Sequence, residues 1–247
     1  LRALLDEAGV ARPVEEPSGQ APRVLSWLLP VMDPARAACE DSPLRAALKA
    51  DLDLSVSTLS QLEALVAAAR AQATTARLHL KVDTGMSRGG AMAEDLPALA
   101  AALRRAVDEG AVDVVGLWSH LSRADEPTSG STEEHLVRYR QAERIVREAG
   151  LTPSIHHLAA TGGLLWHPEA RMDLVRAGIG LYGLSPAPSV TTGAELGLRP
   201  AMRLESELVQ VKRIDVGQAV SYGGTWSAPT DRWVGLVPLG YSDGVPR

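Results

Sequence analysis

A single cysteine, Cys39, leaves no partner for an intrachain disulfide, and that scarcity suits a reducing compartment such as the cytoplasm. No apolar run approaches the ~18 residues of a membrane span, so no membrane partner is expected. Positive charge is in deficit. Against 30 Asp and Glu the chain carries 25 Lys and Arg, a formal net charge of -5, which gives no electrostatic reason to expect nucleic acid or an anionic surface as a partner. The opening Leu1-Arg2-Ala3-Leu4-Leu5-Asp6-Glu7 lacks both an initiator methionine and the basic start of a signal peptide. It reads as the inside of a helix, and the sequence is therefore expected to be a piece of a longer chain. Cys39 lies among alanines in a helix-like stretch and is expected to be a packing residue rather than a nucleophile.

What the sequence does have is a 247-residue length, 45% hydrophobic content and a regular alternation of short apolar runs with longer helical patterns. That alternation is the mark of parallel βα units. Strands are expected at 24–29, 52–56, 78–82, 114–119, 154–159 and 174–181. Ser60-Gln61-Leu62-Glu63 and Ser131-Thr132-Glu133-Glu134 fit the capping-box pattern at helix starts, and Gly110 and Gly150 fit C-terminal caps. Six strands leave two architectures open, a (β/α)8 TIM-type barrel whose first two units are missing, or an open six-stranded parallel sheet. After Tyr182 the composition shifts to Pro, Gly, Ser and Thr, as in a linker. From Leu204 the pattern alternates through Leu208, Val211, Ile214, Val216 and Val220. The expected domains are therefore a partial α/β barrel at 1–190 and the start of a truncated C-terminal β domain at 191–247.

In a βα barrel the chemistry sits at the carboxyl ends of the strands. Four such ends carry polar residues: Lys81-Val82-Asp83-Thr84-Gly85-Met86-Ser87-Arg88, then Ser119-His120, then Ala159-Ala160-Thr161-Gly162, and Arg176-Ala177-Gly178-Ile179. If two units precede the chain, Thr161 follows strand seven and Gly178-Ile179 strand eight, where barrels of this kind bind phosphate. The Thr161 hydroxyl and a close backbone at Gly178 suit an anion, although a plain N-cap and an ordinary turn would look the same. A metal centre is not expected, because His156 and His157 are adjacent on a strand and point to opposite faces.

Five strings together carry a resemblance. His79 to Arg88, Gly116-Leu117-Trp118-Ser119-His120, Asp173 to Gly183, Val220-Ser221-Tyr222-Gly223 and Gly240 to Arg247 are similar, in order, to the motifs of alanine racemases, enzymes of the fold-type III pyridoxal-phosphate group. The resemblance implies a pyridoxal 5'-phosphate cofactor, alanine as substrate, D-alanine for peptidoglycan as product, and a homodimer with shared sites. It implies that Arg176 donates to the cofactor's pyridine nitrogen, and that Thr161, Gly178 and Ile179 hold its phosphate. Arg88 would bond its phenolic oxygen, oriented by a carbamylated Lys81, with His120 stacked near the ring. Tyr222, from the β domain of a second subunit, would be one of two opposed bases, since racemisation needs a base on each face of a planar carbon. Tyr241 would line the substrate entrance, with Asp243 structural.

The sequence departs from the family pattern in three places. Ala160-Thr161 stands where the family has Asn-Ser, and Ser87 where it has glycine. The segment bearing the Schiff-base lysine does not occur, since Lys49, Lys81 and Lys212 all have the wrong context, so the chain as written is not expected to bind the cofactor covalently. Other readings are a racemase of the same fold for serine or lysine, an inactive cofactor-binding relative, and a phosphosugar barrel that would leave Tyr222 and the β domain unexplained. A barrel lacking two strands is expected to expose open edges and to be poorly soluble on its own.

Overall fold

Five short strands, β1 (Leu25–Ser26), β2 (Asp53–Val56), β3 (Ala76–Lys81), β4 (Val112–Trp118) and β5 (Ile155–His157), form one parallel sheet in the order 1-2-3-4-5. The computed structural model describes residues 23–245, so the helix-like start at residues 1–7 and the final Pro246-Arg247 lie outside the described residues. Each strand pairs with its neighbour in sequence. A doubly wound sheet reverses its order partway, whereas a barrel does not, and the consecutive order therefore selects the barrel over the open sheet. Every residue of β2 is buried, as expected for a strand covered on both faces.

With no phenylalanine in the chain, the core is aliphatic. Leu54, Leu78, Leu80 and Leu117 from the strands meet Leu65, Leu99 and Leu103 from helices α3 (Leu59–Gln72) and α4 (Leu96–Asp108), all essentially without solvent contact. Two shorter helices, α1 (Pro34–Ala38) and α2 (Pro43–Lys49), start at Asp33 and Ser42. Each cap accepts a backbone N–H just ahead of a proline whose fixed φ suits the first helical position. The remaining helices are α5 (Ser131–Glu148) and α6 (Thr161–Trp166).

Several expectations need correction. The cap of α3 is Thr58, two residues before Ser60: its hydroxyl accepts the Gln61 N–H, while the Gln61 side chain takes the N–H of Ser57. For α5 the cap is Gly130 in a left-handed conformation, with no capping side chain, and Ser131 is already helical. Gly110 and Gly150 do follow α4 and α5 with positive φ. Cys39 is not packed but exposed, at the end of α1. The sixth strand does not form. Residues 173–178 run beside β5 with two backbone bonds, Asp173 N to His156 O and Arg176 N to Ala159 O, and Ile179–Tyr182 coils into a 3-10 turn. Glycines at 178, 180 and 183 weaken any strand there.

The described residues divide into two compact units, with the boundary between Arg199 and Pro200. In the second, β6 (Gln210–Ile214) pairs antiparallel with β9 (Arg232–Leu236), and β7 (Ala219–Val220) with β8 (Trp226–Ser227). Among the described residues no helix is long and apolar enough to cross a membrane.

Candidate active site

Arg176 is the hub of the first unit. One terminal nitrogen lies 2.6 Å from His157 Nδ1; the other donates to the carbonyls of Ser119 at 2.8 Å and Leu158 at 2.9 Å and lies 3.1 Å from His120 Nδ1. The Trp118 ring lies beneath the guanidinium, 4.8 Å away, and stacks on His157 at an interplanar angle of 11°. These partners sit at or just past the carboxyl ends of β4 and β5. Thr161 follows β5 by four residues, so Arg176 and Thr161 occupy the same end of the sheet.

An arginine only donates, so His157 Nδ1 must accept, and its Nε2 carries the hydrogen. That Nε2 is 2.9 Å from His79 Nδ1, and His79 Nε2 in turn faces Asp53 Oδ2 at 3.4 Å. The tautomers of both rings are thereby fixed, with every N–H pointing toward Asp53. Burial, then the positive charge of Arg176, pushes His157 down to about 2. Burial and Arg176 push His120 down to about 4, so both imidazoles are neutral at pH 7. Burial raises the Asp53 carboxyl, but the hydrogen bonds from His79 and Arg23 outweigh it and hold it well below the usual range. Burial lowers Arg176 to about 10, leaving it cationic.

Gly116 on β4 makes room for this chain. A Cβ there would fall 2.0 Å from His79 Nδ1.

Lys81 ends β3 with its ammonium 4.4 Å from the Trp27 ring and 4.6 Å from that of Trp118. Burial, then Arg88 and Arg176, lowers its pKa. Arg88 is exposed and lies over Trp27 at 5.3 Å. The loop between the two cations is pinned by Asp83, whose Oδ1 accepts N–H groups from Gly85, Met86 and Ser87. Ser87 holds φ +56, a left-handed backbone that favours glycine.

Buried Thr161 opens α6. Its hydroxyl accepts the N–H of Gly178 at 3.0 Å and of Gly180 at 3.3 Å, leaving its own hydrogen free to donate. Open space faces Gly178, and Ile179 is exposed beside it. Ala160, where an amide was expected, caps α6 with no side-chain bond.

The structure thus brings Lys81, Arg88, His120, Arg176 and the Thr161–Gly178–Ile179 corner to one end of the sheet. Tyr222 and Tyr241 belong to the second unit. Tyr222 sits in the Tyr222–Gly224 turn between β7 and β8, preceded by Ser221 at φ +67 and 88% exposed. Tyr241 begins another 3-10 turn, which Asp243 closes by accepting the Gly240 N–H.

Sequence reasoning missed Trp27, Asp53, His79, Asp83, Trp118 and His157. His79, Asp83 and Trp118 lie inside the strings that carry the resemblance, and Asp83 also heads Thr-Gly-Met-Ser, the composition of an Asx turn.

Comparison with known proteins decides the family. Residues 34–186 match the model for the alanine racemase N-terminal domain, and residues 201–247 that for the C-terminal domain. This chain belongs to the alanine racemase family. It is 42% identical over 245 residues to an alanine racemase of Frankia casuarinae, covering 99% of this chain and 60% of that protein. With an alanine racemase of Streptomyces coelicolor it shares 45% identity over 206 residues, 83% of this chain and 53% of the relative. Among solved structures, the alanine racemase of a D-cycloserine-producing Streptomyces lavendulae superposes with a TM-score of 0.87 at 38% identity, over 100% of this chain and 59% of that one. The S. coelicolor A3(2) enzyme gives 0.84 at 41%, over 98% of this chain and 61% of that one. The chain therefore spans a little over half the length of the relatives it matches.

The family is pyridoxal-phosphate-dependent, and the residues present suit that group. Among the described residues Arg176 Nε has no protein partner, so a donor remains for a ring nitrogen. The Thr161 hydroxyl and the open backbone at Gly178 suit a phosphate.

Proposed function

We propose that the full protein to which this chain belongs interconverts L- and D-alanine as a homodimer in the cytoplasm, with pyridoxal phosphate, supplying D-alanine for peptidoglycan. The observation that carries the reading is the Arg176 guanidinium, fixed by neutral His157 on the same strand ends as the Thr161 hydroxyl.

When bound, the cofactor acidifies the substrate's α C–H by delocalising charge into its ring. Arg176 donates to the ring nitrogen. Arg176 stays cationic and keeps its own proton, so it would hold that nitrogen unprotonated, which restrains the ring as an electron sink and limits transamination. Thr161, Gly178 and Ile179 hold the phosphate. His120, neutral and half buried, would lie against the ring, and Arg88 would bond the phenolic oxygen and help to orient the substrate. Lys81, a buried amine next to two arginines, is disposed to combine with carbon dioxide. Its nitrogen bonds the carbon and releases a proton, and the resulting carbamate attracts Arg88 rather than repelling it. Tyr222 of a second copy moves the proton on one face of the α-carbon, and Tyr241 lines the entrance.

Ala160 favours one second reading, an inactive relative that binds cofactor without turning over. Side-by-side assays of the full-length protein with alanine, serine and lysine test both. Racemisation of alanine above the others is expected. Bound cofactor with no turnover of alanine would select the inactive relative, and faster turnover of serine or lysine would reassign the substrate.

A further inference from the structure

Three side chains converge that take no part in the Arg176 site. Glu133 lies in the first turn of α5, His167 follows α6, and Glu169 lies in the 3-10 turn Pro168–Ala170. One ligand atom from each falls within 4.8 Å of the others.

The histidine is the informative member. Its side chain is only 4% exposed, and its Nε2 lies 3.2 Å from the Ala124 carbonyl and 3.3 Å from the Thr132 hydroxyl. A carbonyl only accepts, so Nε2 carries a hydrogen and Nδ1 is the nitrogen left to face the carboxylates. Nδ1 faces Glu169 Oε1 at 3.9 Å, too far for a hydrogen bond. Among the described residues no lysine or arginine pairs with Glu133 or Glu169. A buried imidazole nitrogen and two carboxylates thus meet with no hydrogen bond among them. The backbone holds the ring in place, through His167 N to Gly163 O and Ala170 N to His167 O.

We propose that Glu133, His167 and Glu169 bind a divalent transition cation, with Zn2+ as the best match. One nitrogen and two carboxylate oxygens form a borderline ligand set that favours Zn2+ over Ca2+ or Mg2+. The Ala124 carbonyl is the outer partner that orients a metal-binding histidine. The carboxylates are exposed and need only a side-chain rotation to close on the ion, whereas the buried nitrogen is fixed. Such an ion clips the start of α5 to the turn after α6, the helix that Thr161 opens, so its effect is on the rigidity of that corner.

The test uses the full-length protein stripped with a chelator. Zn2+ binding is followed by competition with a chromophoric chelator, and Co2+ by its visible absorption. One equivalent is expected, with a higher Tm in Zn2+. Glu133→Gln and Glu169→Gln, both at exposed positions, each weaken binding about tenfold or more and leave the metal-free Tm unchanged, and the double variant loses the site. Absence of saturable binding, binding that survives in the double variant, or Ca2+ bound as tightly as Zn2+ would each overturn the proposal.

Discussion

At the scale of single residues, the histidine relay and the loop after β3 make firm claims. Gly116→Ala puts a methyl group into His79, which cannot move without losing Asp53 or His157. Overpacking of this kind costs about 1–3 kcal/mol, and urea unfolding should show a loss of that size. Ser87→Gly relieves a left-handed backbone and should gain roughly 1 kcal/mol in the same assay. The relay also sets a pH dependence. His157 and His120 are neutral when folded, with pKa values near 2 and 4, whereas in the unfolded chain they take up protons near the ordinary 6.5. The folded state binds fewer protons, so its stability is complete above about pH 6.5 and falls as the pH drops toward about 4. Tm measured across that interval should decline, and His157→Gln should flatten the slope. Of these residues the sequence made Arg176 and His120 legible, because each lies in a recognisable string at a strand end. The joint role of His79, His157 and Asp53 was not, although His79 lies in one of those strings, because it rests on contacts across three strands that no local pattern encodes.

At the scale of elements, the strand and helix alternation was readable because burial on both faces leaves nearly continuous apolar runs. What could not be read was where an element begins when two hydroxyls compete to cap it. Thr58 and Ser60 both satisfy capping composition, and the structure selects Thr58 because its hydroxyl reaches the Gln61 N–H. Thr58→Ala should therefore cost about 1 kcal/mol and Ser60→Ala much less, a difference that chemical denaturation of the pair resolves. The segment after β5 taught the opposite lesson. Its apolar residues read as a strand, but its glycines and the Asp173 carboxylate, which takes the His156 N–H, divert the chain into a turn that meets Thr161.

At the scale of the whole molecule, composition signals a linker after Tyr182, while no local pattern says what Tyr222 and Tyr241 meet. If a second copy supplies Tyr222, mixing full-length Tyr222→Phe with full-length Arg176→Ala should restore activity that neither variant has alone, measured as alanine turnover after subunit exchange. The aromatic economy of the chain has a practical result. Two of its five tryptophans, Trp27 and Trp118, frame Lys81, with Trp118 also beneath Arg176, and no phenylalanine is present. The barrel mouth thus carries built-in fluorophores. A pyridine ligand settling there would dim their emission, so occupancy can be followed by light in a protein that has not turned over a single substrate.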